Sequence, residues 1–477
     1  MDIKQLLSKL TIEEKASLLS GADFWHTKAV ERLGIPQMMM SDGPHGLRKQ
    51  RVDDEEAGVN QSIEAVCFPA ACALACSFDR DLLFRLGQAL GNECQAENVG
   101  VILGPGTNIK RSPLCGRNFE YFSEDPFLAS NMAASHIRGV QSKKVGTSLK
   151  HFAANNQENR RMSVSAEIDE RTLHEIYLSA FEYAVREAKP ATIMCSYNRI
   201  NGEYSSENKY ILTDVLRDKW GFEGMVVSDW GAVNDRVKGV AAGLDLEMPS
   251  SGGVNDKKIA EAVKNGTLPK ADLDKACERV LRTVDNYLKG RDEEAVWDKN
   301  ADHALAAEIA SQCMVLLKND DRVLPLPRNR KIAFIGKFAK KPRFQGGGSA
   351  HINAFRVSDA LSSAEKYASV SYAEGYRTDE DIIDAGLINE AVELAKNSDI
   401  AVVFAGLTDL FESEGFDRKH MGMPECQNEL IRRVAAVQPN TVVVLHNGSP
   451  VEMPWIENVK GVLEVYLGGQ AVGEAVC

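Results

Sequence analysis

No stretch of this chain reaches about 18 consecutive apolar residues, so a membrane-spanning helix is not expected. An excess of basic residues is also lacking: 56 Lys and Arg stand against 68 Asp and Glu, a net charge of −12. Such a surface argues against nucleic acid and anionic membrane as main partners, and is neutral toward an uncharged ligand such as a sugar. The opening Met1-Asp2-Ile3-Lys4-Gln5 lacks the apolar core of a secretory signal. Cysteine is sparse, 10 in 477 residues. Cys67, Cys72 and Cys76 lie nearest to one another, but their spacing fits no common zinc pattern and no His is close. They read as reduced core thiols of a cytoplasmic protein. Internal repeats and low-complexity tracts are missing. So is a nucleotide fingerprint: Gln345-Gly-Gly-Gly-Ser-Ala350 follows an apolar run but has neither the Lys-Ser/Thr of a phosphate loop nor dinucleotide spacing. Metal and cofactor are therefore expected to be none.

What is present is length and alternation. At 477 residues, two or three domains are expected. Over residues 1–290 short apolar runs alternate with amphipathic stretches. Strands are expected at Gln37–Ser41, Val99–Leu103, Gly146–Lys150, Ala191–Ser196, Met225–Ser228 and Gly243–Glu247, with helices such as Glu170–Glu187 and Asn255–Val263 between them. The pattern predicts a parallel sheet, and polar side chains at successive strand ends favour an α/β barrel over an open sheet. Residues 291–330 break it and read as an interdomain linker holding one helix, Ala301–Gln312. Residues 331–477 resume it, with strands at Lys331–Ile335, Ser369–Tyr372, Ile400–Ala405, Thr441–His446 and Gly461–Tyr466, as expected of a doubly wound sheet. The closing Gln470–Cys477 reads as the start of a helix, and a chain truncated within its second domain is expected.

The chemistry concentrates at predicted strand ends. Met225-Val-Val-Ser-Asp-Trp-Gly231 runs from an apolar strand into one carboxylate and one indole. An indole stacks on the apolar face of a sugar ring, and a carboxylate can attack an anomeric carbon. The plainer alternative is a helix-capping Asp beside a core Trp. Asp42-Gly-Pro-His-Gly-Leu-Arg48 offers an acid and an Arg that can grip hydroxyls. Arg111–Pro126 is an irregular segment dense in charge and aromatics, including Arg117 and Glu120. Lys150-His151 follows a strand directly, and Met194-Cys-Ser-Tyr-Asn198 adds Tyr197. Each alone could be a turn, a surface pair or core. Their recurrence at successive strand ends is what those plain readings do not predict. In the second domain, Glu412-Ser-Glu-Gly-Phe-Asp-Arg418 reads either as a solvated acidic loop or as the source of a general acid.

Taken in order, Asp42–Arg48, Gly116–Pro126, Lys150-His-Phe152, Ser196-Tyr-Asn198, Val227-Ser-Asp-Trp-Gly231 and Glu414-Gly-Phe-Asp-Arg418 resemble the motif series of the family three glycoside hydrolases, most closely its β-glucosidases. The resemblance implies a TIM-like (β/α)8-type barrel followed by an α/β (αβα) sandwich; nothing matches a third, fibronectin-like domain. It implies Asp229 as nucleophile and Glu414 as acid/base, with Glu412 the fallback. It implies sugar contacts from Asp42, Arg48, Arg117, Lys150, His151, Met194, Tyr197 and Trp230, and from Ser349 of the glycine loop. The implied substrate is a β-glucoside or oligosaccharide, hydrolysed with retention. A β-xylosidase or broad-specificity β-glycosidase is the near alternative. A β-N-acetylglucosaminidase would carry a Gly-His-Gly-rich loop after Lys150-His151, where this chain has Phe152-Ala-Ala-Asn-Asn-Gln157. A non-catalytic sugar-binding protein is the alternative of another class, and a homo-oligomer is compatible with the sequence.

Overall fold

The computed structural model describes residues 1–50 and 62–477. The chain forms two compact units that interleave along the sequence. The first takes Met1–Ile63, Asp79–Ile109 and Ser123–Trp297; the second takes Glu64–Phe78, Lys110–Phe122 and Asp298–Cys477.

The first unit is built on five parallel strands in chain order: β1 (Met40–Asp42), β2 (Val101–Leu103), β3 (Gly146–Phe152), β4 (Thr192–Cys195) and β5 (Met225–Val227). Nearly every residue in them is buried, as in a sheet covered on both faces, and β2 (Val-Ile-Leu) and β5 (Met-Val-Val) are accordingly continuous apolar runs. Helices α1 (Arg80–Ala96) and α2 (Pro126–Ser142) pack side by side between strands. Asp79 and Asp125 cap them by accepting from the first-turn amides, and Pro126 opens α2 where no N–H is needed.

Gly243–Glu247, expected as a sixth strand, forms only isolated bridges. The Val226 N–H that would extend the ladder is also engaged by the Asp245 carboxylate, at 2.8 Å. The hydrogen bonding nonetheless continues. Ser228 N–H donates to Leu246 O and Gly21 N–H to Glu247 O, while Gly21 bridges Thr27 and His26 bridges Met39, beside β1.

The second unit holds six strands: β6 (Val315–Asn319), β7 (Ile332–Ile335), β8 (Val370–Ala373), β9 (Ile400–Gly406), β10 (Thr441–His446) and β11 (Gly461–Glu464). Their order is β8-β7-β9-β10-β11-β6, all parallel except β6, which runs antiparallel to β11. Helices α3 (Lys299–Cys313), α4 (Ala385–Lys396) and α5 (Glu425–Ala435) belong to the same unit. Residues 291–330 thus differ from the linker expected of them. They supply α3 and an edge strand, and Val323, Leu324 and Leu326 pack on the core of the second sheet.

The strand order reverses between β7 and β9, and ligands of parallel sheets bind beyond the carboxyl ends of strands at such a point. The loops that leave β7 and β9 there carry Ser349 and Glu414. Among the described residues no helix is long and apolar enough to cross a membrane.

Candidate active site

In the first unit, side chains leave the carboxyl ends of consecutive strands. Asp42 ends β1, and its Oδ1 accepts from Lys150 Nζ of β3 at 2.7 Å. Both are buried. A buried ion pair repays its desolvation poorly, so stability alone is a weak reason for it. The Arg48 N–H closes back on Asp42 O at 2.9 Å, which fixes the turn between them. His151 follows Lys150, and Asn108 holds its backbone from both sides: its amide donates to His151 O at 2.8 Å and its Oδ1 accepts from His151 N at 2.7 Å.

That anchoring leaves His151 Nε2 at 3.6 Å from Asp229 Oδ2. Asp229 lies just past β5. The preceding Ser228 is locked by two hydrogen bonds between its hydroxyl and the Met248 backbone, at 3.1 and 2.9 Å. The Trp230 N–H donates to Asp229 Oδ1 at 2.7 Å. The Trp230 indole donates to Phe24 O at 2.8 Å and lies 5.4 Å, centroid to centroid, from Trp25. The Tyr197 hydroxyl donates to Trp230 O at 3.1 Å, and the Arg161 guanidinium sits 4.7 Å above the Tyr197 ring. Met194 is buried in β4, in register with Val227. Neighbouring Cys195 is no rival nucleophile. Burial first, and then the Asp229 carboxylate, push its thiol up to about 12, so it stays protonated.

The expected residues of the second unit form a separate group. Arg117, expected with the first domain, belongs here, because the segment Lys110–Phe122 packs with the second unit. It is buried and ion-paired with Glu120, and its Nη1 lies 3.8 Å from Glu414 Oε1. Glu414 Oε2 accepts the Ser349 N–H at 2.6 Å. Ser349, expected as a sugar contact, thus meets Glu414 through its backbone N–H. The glycine loop owes its composition to this approach. Gly348 has φ +107°, and a Cβ there would fall 2.4 Å from that of Glu414. Gly116 similarly lies against the backbone of Ser413 and Phe416.

Glu412 and Glu414 face opposite circumstances. The Glu412 side chain is wholly buried, and its carboxylate is bound by Arg343 Nη1 at 2.6 Å, by Gly448 N–H at 3.0 Å and by the Ser449 hydroxyl. Glu414 keeps 11 % of its side chain exposed. Of the two, only Glu414 keeps part of its side chain exposed.

Sequence reasoning missed Asn108, Arg161, the Phe24–Trp25 pair and Arg343. Asn108 acts through backbone contacts, and Arg343 through partners 66 and 69 residues away, neither of which leaves a spacing signal. Trp25, as an aromatic near a turn-rich stretch, was the one visible cue. All ten cysteines carry free thiols. Among the described residues no three His, Cys, Asp or Glu side chains gather as a metal site would require.

Residues 16–283 match the model of the glycosyl hydrolase family 3 N terminal domain, and residues 314–477 match that of the family 3 C-terminal domain. The chain is 62% identical to Thermostable beta-glucosidase B of Acetivibrio thermocellus, over 100% of this chain and 64% of that protein. It is 48% identical to an exo-alpha-(1->6)-L-arabinopyranosidase of Bifidobacterium breve, over 98% of this chain and 63% of that protein. The chain therefore spans a little under two thirds of the length of these curated relatives. The crystal structure of a beta-glucosidase from Bifidobacterium adolescentis superposes with a TM-score of 0.93 at 49% identity, covering 98% of this chain and 68% of that one. The family's two-domain α/β architecture is that of this chain, and with both of its domain models matched, the protein belongs to glycosyl hydrolase family 3.

Proposed function

We propose that this chain carries the catalytic machinery of a retaining β-glucosidase, which releases terminal non-reducing β-D-glucosyl residues through a covalent glycosyl-enzyme intermediate. The first unit is read as a (β/α)8-type barrel whose irregular bridges return the ladder to β1, and the second as an αβα sandwich. Asp229 attacks the anomeric carbon while Glu414 donates its proton to the leaving oxygen. Water, activated by the Glu414 carboxylate, then attacks the same carbon and frees Asp229. Retention requires the two carboxyl groups to come within roughly 5–5.5 Å of one another.

The observation that carries this reading is Asp229 itself. It is a buried carboxylate fixed just past β5, with His151 Nε2 3.6 Å from one oxygen and the Trp230 amide on the other. Asp42, Arg48, Lys150, His151 and Arg117 hold the sugar hydroxyls as charged or bidentate partners. Met194, Tyr197 and Trp230 line its ring, and Ser349 orients Glu414. The reaction calls for no cofactor or metal. Ten free thiols, most of them buried, support work in a reducing compartment such as the cytoplasm.

The test is the anomer first formed. NMR of early product from an aryl β-glucoside is expected to show the β-anomer of glucose. Initial α-glucose would overturn the retaining scheme. Calorimetric glucose binding without any turnover would instead support a sugar-binding role.

A second reading is a glycosidase that accepts a pentopyranose. The 48% identity to an arabinopyranosidase favours it. Turnover of 4-nitrophenyl β-glucoside, β-xyloside and α-L-arabinopyranoside, compared as kcat/KM, separates the two.

A further inference from the structure

Glu412 lies two residues before Glu414, and its surroundings are those of a fixture. Arg343 grips its loop at three points. Nη1 donates to the Glu412 carboxylate at 2.6 Å, Nη2 to the Glu412 backbone carbonyl at 2.8 Å, and Nε to Asp409 Oδ1 at 3.1 Å. The Ser449 hydroxyl and the Gly448 amide bind the same carboxylate from the loop after β10. Arg343 also stands at the start of the glycine loop. Two residues on, the Gln345 side chain closes that loop on itself, accepting from Ile352 N at 2.8 Å and donating to Ile352 O at 2.8 Å. Between these ties, Ser349 N–H meets Glu414 Oε2 at 2.6 Å and Glu414 N–H meets Gly347 O at 3.3 Å. Neither loop has regular secondary structure at these positions, so their mutual register rests on side chains.

We propose that Arg343 and Glu412 are positioning residues: a buried clamp, completed by Ser449, that registers the glycine loop against the loop of Glu414 and so sets where the acid/base carboxyl stands. The inference rests on the reading of Glu414 as the acid/base. A buried pair gives little net stability against an apolar substitute, but it fixes geometry, because each charge has only one satisfied arrangement. A misplacement of about 1 Å in a catalytic group is enough to cost on the order of 100-fold in rate.

Two measurements test it on the full chain with Arg343→Lys, Glu412→Gln and Ser449→Ala, the last removing a single hydroxyl where the others fail to fold. The first is hydrogen exchange, which needs no turnover. The amides of Ser349 and Glu414, which bond across the two loops, are expected to exchange at least about tenfold faster (about 1.4 kcal/mol of lost local protection), with β9 and β10 unchanged. Unchanged exchange in the glycine loop overturns the proposal, and so does a uniform rise across the unit.

The second is kcat/KM on two glucosides. A 2,4-dinitrophenyl leaving group departs without protonation, whereas cellobiose needs the acid. The clamp variants are expected to lose about 30-fold or more on cellobiose and less than about 3-fold on the dinitrophenyl glucoside. Equal losses on both overturn the proposal. Glu414→Ala is the control. If it shows the split and the clamp variants do not, the clamp alone is wrong; if it shows no split, the acid/base reading fails and the clamp's role falls with it.

Discussion

The two halves of the candidate machinery are held by different means. In the first unit Asp42 ends β1, Lys150 lies within β3 and Asp229 lies just past β5, and backbone ladders set their spacing. In the second, Glu414 and Ser349 sit in loops, and ion pairs and single hydrogen bonds do the same work. A strand end is positioned by many weak bonds, none decisive. A loop is positioned by a few strong ones, each decisive. The first unit should therefore tolerate loss of supporting contacts better than the second, though not loss of the reacting groups themselves.

The sharpest way to break this contrast is at the reacting carboxylates. Asp229→Asn is expected to lower kcat on 4-nitrophenyl β-glucoside on the order of 10⁴-fold, with circular dichroism unchanged. A fully active, correctly sequenced variant would remove Asp229 from the chemistry. Glu414→Gln should cost about 10²–10⁴-fold, and azide should restore part of the rate as glucosyl azide. No azide product would place the acid elsewhere.

A smaller effect sharpens the contrast inside the first unit. Asp42→Asn removes the carboxylate charge that faces the buried Lys150 ammonium and should destabilise the fold by about 3–5 kcal/mol in denaturant titration. Disrupting the exposed Arg171–Glu175 pair should cost about 0–1 kcal/mol. Similar losses at both sites would show that the Asp42–Lys150 pair is not truly buried.

The smallest expected effect is one of pH. Burial pushes the Glu464 carboxyl of the second unit up to about 8 from an ordinary 4.5. The folded chain therefore holds a proton there that the unfolded chain releases above about 4.5. This contribution to stability is complete below 4.5 and fades as pH rises through 8. Glu464→Gln keeps the neutral form at every pH. Its melting temperature, relative to the parent, should rise steadily between pH 5 and pH 8; a difference independent of pH would contradict the shift.

The same contrast explains what could be read from the sequence. Met225–Val227 is an apolar run of the kind a buried parallel strand requires, so Asp229 was legible as a strand-end group; Gly146–Leu149, with Thr147 and Ser148 inside it, is a weaker signal, and β3 runs on through Lys150 and His151 to Phe152. Gly243–Glu247 alternates Leu with Asp and Glu and bridges irregularly, with the Asp245 side chain taking up a strand amide. The residues alone showed Glu412 and Glu414 as a pair, and only the family resemblance ranked Glu414 first. Burial separates them, and burial in a loop follows from partners such as Arg343 and Ser449 that lie 69 and 37 residues away. The glycine loop showed its conformational freedom but not the reason for it, which is the approach of Glu414. Arg117 was legible as a functional candidate but was assigned to the first domain by its place in the chain, whereas its packing is with the second.

That last point bears on how the molecule is made. The chain passes between its units at 63/64, 78/79, 109/110, 122/123 and 297/298. Arg117 therefore leaves the ribosome long before Glu414, and must wait for it. Most of the first unit is synthesised while two pieces of the second stand without their sheet, which leaves buried groups such as Phe119 and Cys72 in need of shelter during synthesis. Expression of residues 298–477 alone would yield a sheet lacking the segments that carry Arg117 and Glu120. A division at 330/331 would take α3 and β6 away from the sheet they belong to.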